Sequence, residues 1–187
     1  MDDAIGKLVV ISAPSGTGKG TVISELIKKR PEFAFSISVT TRAPRPGEKN
    51  GVEYHFLTHK QFHEMISNNE FLEFAEYVGE FYGTPSKPVK ECLDTGKTII
   101  LDIEVQGAKQ VMAKELDAIT IFLIPPNMEE LEKRLRGRGT DSEGKLDARL
   151  KRACQELEEK IHYDHVVIND NVSRAANEIM TIIDRKE

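Results

Sequence analysis

The chain has 187 residues, of which 39% are apolar and 30% charged, and a formal net charge of −5 at pH 7. This length suits one α/β domain with a small insertion, and the negative balance argues against a general nucleic-acid binder. Cys92 and Cys154 form no CxxC pair, which argues against a disulfide framework. The acidic N-terminus lacks the features of a signal peptide and no apolar run reaches membrane-spanning length, so we expect a cytoplasmic protein without a membrane partner.

Short β-branched runs alternate with helical patterns along most of the chain. Residues 8–12 predict a buried strand, and a Gly-rich turn separates it from a helix over 20–30 that Pro31 ends. Further strands are predicted over 98–103, 118–124 and 165–168, and further helices over 105–114, 128–136, 146–161 and 172–185. This alternation indicates crossover connections around a mostly parallel sheet.

Residues 34–90 follow a different pattern. Aromatic-rich runs alternate there with Pro and Gly, and Thr58 and Gln61 form a capping-box pattern before a helix predicted over 60–68. We therefore predict a mixed, partly antiparallel insertion on an α/β core. The predicted division is a core of 1–33, 91–135 and 146–187, an insertion over 34–90, and a mobile Gly-rich basic lid over 136–145.

A phosphate-binding loop is predicted between the first strand and the first helix. It consists of Ala13, Pro14, Ser15, Gly16, Thr17, Gly18, Lys19, Gly20 and Thr21. Glycines allow backbone N–H groups to point at phosphate oxygens, the helix N-terminus adds its dipole, and Lys19 adds a full charge. Relative to GxxxxGK[ST], Ala13 replaces the first Gly and Gly20 follows Lys19, which leaves Thr21 as the hydroxyl for Mg²⁺ or its waters. GTPases, motors and transporter subunits share such loops, so other residues must identify the second substrate.

Two arginines between prolines predict an anion site within the insertion. Arg42 and Arg45 lie three apart, and Pro44 and Pro46 keep the segment extended, so both guanidinium groups can converge on one phosphate. The alternative from these residues alone is a pair of solvated surface charges.

At this segment the chain strongly resembles guanylate kinases, and the resemblance covers nearly its whole length. The blocks that carry it occur in family order: APSGTGKGT, TTRAPRPGEKNGVEYHF, NEFLEFAEYVGEFYGT, ILDIEVQG, RLRGRGTDSE and VVINDN. The resemblance implies an α/β P-loop kinase with a central parallel sheet flanked by helices, a small mixed α/β GMP-binding insertion and a mobile lid. It implies the reaction ATP + GMP = ADP + GDP, by direct in-line transfer with Mg²⁺, in purine nucleotide metabolism.

The resemblance also assigns residues to the acceptor nucleotide, GMP or dGMP. Those placed on its phosphate are Ser38, Arg42, Arg45, Tyr54 and Tyr82. Glu73 is placed on the base, with help from Ser38 and Thr84. The chemistry agrees, because guanine presents N1–H and a 2-amino group to one carboxylate, whereas adenine offers neither donor there. Outside this pattern Glu73 would be a solvent-facing strand residue, and Tyr54 and Tyr82 core aromatics.

The catalytic groups implied by the resemblance are basic. Lys19 is joined by Arg134 and Arg138 from the lid and by Arg149 from the following helix, all of which would stabilise charge on the transferred phosphoryl group. The alternative for the lid pair is an ordinary solvated helix end.

Two further residues are assigned near the donor. Asp102 ends an apolar strand, as in a Walker B element, and would hold a water of the Mg²⁺ shell or contact GMP; the alternative is a helix cap. Asn169 would contact the adenine of ATP, a contact that backbone groups could equally make. His59 and His63 lie four apart on a predicted helix, but no third metal ligand is evident in the sequence.

Two rival functions remain at this stage. A different nucleoside-monophosphate kinase would be favoured by a helical insertion and by a Glu73 remote from the site. A guanylate-kinase-like scaffolding module would bind peptides without catalysis, but such modules degrade the loop around Lys19. We expect no obligate protein partner.

Overall fold

Nine strands and seven helices are found in residues 6–137 and 143–185, the part of the chain that the computed structural model describes. In chain order they are β1 (Leu8–Ser12), α1 (Lys19–Lys29), β2 (Ala34–Phe35), β3 (Val39–Thr40), β4 (His55–Phe56), α2 (His59–Ser67), β5 (Phe71–Tyr77), β6 (Glu80–Pro85), α3 (Ser86–Asp94), β7 (Ile99–Asp102), α4 (Val105–Met112), β8 (Ala118–Ile124), α5 (Met128–Arg136), α6 (Glu143–Glu158), β9 (His165–Ile168) and α7 (Val172–Asp184). A 3₁₀ turn, Glu159–His162, follows α6.

A parallel five-stranded sheet in the order β2-β7-β1-β8-β9 lies between two layers of helices. All five residues of β1 are buried. Val9 and Ile11 pack in one cluster with α1 and α7, and Leu8 and Val10 pack in another with α4. A strand with both faces covered is expected to be apolar throughout, so the predicted central sheet flanked by helices is confirmed.

A second, mixed sheet of order β4-β3-β6-β5 stands beside the first. β3 pairs in parallel with β4 and antiparallel with β6, which pairs antiparallel with β5. Its own apolar cluster centres on Phe62 of α2, whose ring stacks on Phe71 with 4.5 Å between centroids. The capping box of α2 is confirmed, because Gln61 N donates to Thr58 Oγ1 and Thr58 N donates to Gln61 Oε1.

Ala34 and Phe35, the first residues of the predicted insertion, pair with β7 in the parallel sheet, so the second sheet begins after them. Of the predicted lid, Arg136 ends α5 and residues 143–145 begin α6, while 138–142 lie outside the described residues. The division into core, insertion and lid stays a prediction. None of the described helices is long and apolar enough to cross a membrane.

Candidate active site

The predicted phosphate-binding loop connects β1 to α1, as its motif requires. Gly16 and Gly18 have φ angles of 90° and 92°, a left-handed conformation that residues with a Cβ rarely adopt. Thr17 N donates to Pro14 O at 3.2 Å, and α1 begins directly after Gly18. Gly16 and Gly18 are therefore required by the turn that brings the chain to the N-terminus of a helix.

Two polar side chains, those of Asn169 and Arg134, stabilise this loop by hydrogen bonds to its backbone. The carbonyl of Thr17 accepts from Asn169 Nδ2 at 2.7 Å and from Arg134 Nη1 at 3.0 Å. Arg134 Nη2 also donates to the Asn169 carbonyl at 3.1 Å, and its Nε to Glu130 Oε1 at 2.9 Å. The buried amide of Asn169 is thus used in supporting the loop, and its predicted contact with adenine stays a prediction.

Lys19 and Asp102 meet where the neighbouring strands β1 and β7 end. Lys19 Nζ lies 2.8 Å from Asp102 Oδ1 and donates to the Ile103 carbonyl at 2.7 Å. Burial alone would lower the pKa of Lys19, but the negative charges of Asp102 and Glu104 outweigh that effect and raise it. The ammonium group is therefore charged at neutral pH.

One cavity of about 260 Å³ collects most of the residues predicted around the acceptor. The predicted residues that line it are Lys19, Ser38, Tyr54, Glu73, Tyr82 and Asp102. The other lining residues were not assigned from the sequence: Ala75, Tyr77, Gly83, Ile103 and Glu104. The cavity therefore lies between the second sheet and the carboxyl end of β7, with Lys19 at one side.

Glu73 is a buried carboxylate in this cavity, with only 5% of its surface exposed. It is paired with Thr84 across β5 and β6, and Thr84 Oγ1 donates to Glu73 Oε1 at 2.6 Å. Burial raises the pKa of Glu73, and the hydrogen bond from Thr84 opposes that rise in part. Thr84 thus contacts Glu73 directly, and the contact with the base predicted for Thr84 stays a prediction.

Arg42 lies beside the tyrosines of the cavity and is held by a carboxylate. Its Nη1 and Nη2 each donate to Glu48 at 3.0 Å, in a bidentate pair, and Arg45 N donates to Glu48 Oε2 at 2.7 Å. The Arg42 guanidinium is 5.5 Å from the centroid of the Tyr54 ring, which meets Tyr82 edge-on. The segment is organised by Glu48 in addition to the prolines, a role that the sequence did not indicate.

A second cavity of about 500 Å³ adjoins the first. It is lined by Ser15, Arg45, Tyr77, Glu104, Arg149, Arg152 and Glu156. Arg149 Nη2 donates to Ser15 Oγ of the phosphate-binding loop at 2.9 Å. Since Tyr77 and Glu104 line both cavities, the loop side and the acceptor side meet at these two residues.

Comparisons with known proteins agree on one family. The family model described as guanylate kinase matches residues 5–186. The chain belongs to the guanylate kinase family. A guanylate kinase of Synechococcus sp. is 49% identical over 178 residues, covering 95% of this chain and 82% of that protein. One of Trichodesmium erythraeum is 53% identical over 167 residues, covering 89% and 90%.

Solved structures support the same fold. The crystal structure of a guanylate kinase from Anaplasma phagocytophilum matches with a TM-score of 0.80 and 35% identity, covering 96% of this chain and 85% of that one. The chain is therefore an enzyme of the guanylate kinase type, a P-loop kinase that binds nucleotides. Guanylate kinases phosphorylate GMP to GDP with ATP, which is the reaction that the resemblance predicted.

The remaining predicted residues are placed as follows. Thr21 is exposed in the first turn of α1, and Arg138 lies outside the described residues. The rings of His59 and His63 lie edge-on against Phe81, with centroids 5.7 and 5.1 Å away. Aromatic packing therefore accounts for the spacing of this histidine pair on α2.

Proposed function

We propose that this chain phosphorylates GMP to GDP at the two adjoining cavities, with ATP as the donor. The observation that carries the assignment is Glu73, a buried carboxylate that lines the same cavity as Lys19 of the phosphate-binding loop. A purine held by Glu73 would direct its phosphate toward Lys19 and the second cavity. In that cavity Arg45, Arg149 and Ser15 are the groups of suitable charge and polarity.

Base selection is assigned to Glu73 with Thr84. The Thr84 hydroxyl occupies one oxygen of the carboxylate at 2.6 Å, which fixes the orientation of the group. The ionised carboxylate can accept from both N1–H and the 2-amino group of guanine, and an adenine ring would leave it buried and unmatched. Ser38, on the same cavity, is proposed as a further contact to the nucleotide.

Phosphate binding is assigned to Arg42, Arg45, Tyr54 and Tyr82. Arg42 lies beside Tyr54, and the bidentate geometry it now adopts with Glu48 is the geometry with which a guanidinium binds a phosphate. Two charged groups and two phenol hydroxyls suit a dianionic phosphate monoester.

Charge stabilisation during transfer is assigned to Lys19, Arg134 and Arg149, and by family position to Arg138. Lys19 is charged at neutral pH and Arg149 already contacts the loop through Ser15. The acceptor oxygen of GMP is anionic near neutral pH, so no covalent intermediate is needed. The protein has to align the two nucleotides in line and neutralise charge on the transferred group.

A divalent metal, proposed to be Mg²⁺, fits the donor set near the loop. The partly exposed carboxylate of Asp102 and the exposed hydroxyl of Thr21 are hard oxygen ligands, which Mg²⁺ prefers, either directly or through water. The metal would supply neutralisation of the ATP phosphates. Lys19, whose Nζ lies 2.8 Å from Asp102 Oδ1, holds that carboxylate in its orientation.

The assay that tests this proposal couples ADP release to NADH oxidation, with ATP and Mg²⁺ and with GMP, dGMP, AMP, CMP or UMP as acceptor. We expect turnover with the guanine nucleotides alone. Turnover of AMP, CMP or UMP at a comparable rate would overturn the role of Glu73. Folded protein that binds GMP but releases no ADP would overturn the kinase assignment. The cytoplasm is the proposed location of the reaction.

A further inference from the structure

Helix α4 covers the outer side of β5, the strand that carries Glu73. In the order β4-β3-β6-β5, β5 is an edge strand, and among the described helices α4 packs against it more closely than α3. An edge strand presents backbone N–H and C=O groups that need partners when they are buried. Side chains of α4 and of the turn after it supply several of them.

Gln110 of α4 pairs with the backbone of Phe74, the residue directly after Glu73. Phe74 N donates to Gln110 Oε1 at 3.2 Å, and Gln110 Nε2 donates to the Phe74 carbonyl at 2.6 Å. A side-chain amide that donates and accepts in this way replaces one residue of a missing neighbouring strand. The pair fixes the position of β5 relative to α4 directly beside Glu73, the carboxylate assigned to the base.

Two other residues, one on α4 and one in the turn after it, lie against the same stretch of β5. Lys114 Nζ, just beyond the helix, donates to the Leu72 carbonyl at 2.5 Å and to the Phe71 carbonyl at 3.3 Å, where the pairing with β6 shifts its register. At Gly107 a Cβ would lie 2.1 Å from Glu73 Oε2, so the carboxylate reaches its place only because this residue is glycine. Gly107 and Gln110 are three apart on α4 and therefore share one face, and Lys114 follows in the turn after the helix.

We propose that Gln110 is a positioning residue for guanine selection, which it sets by holding Glu73 at its depth in the cavity. Gln110 does not line the cavity and touches the strand instead of the nucleotide. Without the amide, β5 can shift relative to α4, and Glu73 then loses the alignment needed to accept two hydrogen bonds from one base edge. The proposal rests on the assignment of Glu73 to the base.

The test compares GMP with IMP, which lacks the 2-amino group and offers Glu73 one donor instead of two. In Gln110→Ala we expect the dissociation constant of GMP to rise roughly tenfold and that of IMP much less, because misplacement by a fraction of an ångström removes aligned contacts first. The preference for GMP over IMP therefore falls by nearly the same factor. KM for GMP rises in parallel, while kcat changes less.

Two further variants separate positioning from general support. Gln110→Glu keeps an acceptor for Phe74 N but removes the donor to its carbonyl, and it should also lose the GMP preference. Lys109→Ala is the matched control, since Lys109 on the same helix pairs with Glu159, away from β5, and should leave the preference unchanged. Thermal unfolding of every variant shows whether the fold is retained.

The outcomes distinguish this proposal from the proposed function. Equal weakening of GMP and IMP in Gln110→Ala, with or without a lower melting temperature, would overturn positioning and leave a structural role. An unchanged GMP preference would overturn it as well. Calorimetric binding needs no turnover, so a wild-type chain that prefers GMP over IMP but makes no GDP would refute the kinase assignment while the Gln110 comparison still gives its answer.

Discussion

At the scale of single residues, Glu73 stands out because its carboxylate is kept almost entirely out of water. Burial raises the pKa of Glu73 above its ordinary value of 4.5, and the hydrogen bond from Thr84 offsets only part of that rise. When the pKa of a carboxyl group is higher in the folded than in the unfolded state, the free energy of unfolding falls as the pH rises from the unfolded to the folded pKa. At neutral pH the free energy of unfolding is therefore lower than it would be without this shift, and below the unfolded pKa the penalty is absent.

The first prediction concerns Glu73→Gln. We expect a higher free energy of unfolding than wild type at pH 7, a gain that shrinks toward pH 4, and a loss of roughly 100-fold in kcat/KM for GMP because two charge-assisted hydrogen bonds are lost. Thermal unfolding at both pH values and steady-state kinetics measure these effects. Glu76→Gln, an exposed carboxylate on the same strand, is the control and should change neither. A melting temperature below that of wild type at pH 7 would contradict the proposed burial penalty.

Val78 adopts a backbone conformation that is unfavourable for its side chain. It is 84% exposed at the turn between β5 and β6 and has a φ of 53°, in the left-handed region. For a β-branched residue that region costs roughly 1–2 kcal/mol, whereas Asn tolerates it.

The second prediction is that Val78→Asn raises the free energy of unfolding by about 1 kcal/mol and leaves GMP phosphorylation unchanged. Urea denaturation provides the measurement. Val52→Asn is the matched control, since Val52 is 57% exposed in a loop without a positive φ and should shift by less than about 0.5 kcal/mol. A loss of stability in Val78→Asn would mean that the Val78 side chain contributes more than its exposure indicates.

At the scale of elements, the sequence predicted the bounds of strands and helices best where a local sequence pattern agrees with the packing of the element. β1, β8, β9 and α5 have the predicted bounds. The runs of β1 and β8 are mostly buried by the sheet, β9 buries Val167 alone, and Asn127 caps α5. Helix α4 was predicted to Lys114 but ends at Met112, since the chain turns at Glu115 with a φ of 52°. The two-residue strand β2 was assigned to the insertion, because so short a run carries no signal of which sheet it joins.

The residues of the candidate site differ in the same way, because some lie in local sequence motifs and others act only through contacts distant in the chain. The phosphate-binding loop has a local motif, and Glu73 was found because the surrounding block resembles a known family. The sequence analysis did not predict Gln110 or Arg152. Each contacts an element distant in the chain, and no local sequence pattern indicates either contact. Tyr77 was visible only as one of several aromatics in its strand.

One such contact joins β5 to α6. The guanidinium of Arg152 lies 4.7 Å from the centroid of the Tyr77 ring, and its Nε donates to Glu156 Oε1 at 2.7 Å. Three residues earlier on α6, Arg149 contacts Ser15 of the phosphate-binding loop. Helix α6 thus contacts the phosphate-binding loop through Arg149 and the second sheet through Arg152.

The third prediction is a favourable coupling between Tyr77 and Arg152. In a double-mutant cycle with Tyr77→Leu and Arg152→Ala, we expect an interaction energy of about 0.5–1 kcal/mol in the free energy of unfolding, as for a partly exposed cation–π pair. The same cycle with Lys151→Ala, the exposed neighbour of Arg152, should give a value near zero. A coupling of zero between Tyr77 and Arg152 would mean that the two elements are not joined by this contact.

At the scale of the whole molecule, the two cavities lie side by side and share two of their lining residues. The first is bounded by Glu73 and the second by Ser15 and Arg149, and Tyr77 and Glu104 belong to both. The acceptor phosphate and the donor phosphates would therefore meet near these shared residues, beside Lys19. The parallel sheet makes this possible, because β1 and β7 are neighbours and both deliver their carboxyl ends to the same edge.

The fourth prediction follows from this shared boundary. A compound that joins guanosine to adenosine through a chain of phosphates should raise the melting temperature more than GMP and a non-hydrolysable ATP analogue together at the same concentrations. Its second half binds at a high effective concentration once the first is held. In Glu73→Gln the guanosine half should contribute little, so that the stabilisation falls toward that of the ATP analogue alone. If the joined compound stabilised wild type no more than the ATP analogue does, the two cavities would not be the adjoining halves of one reaction site.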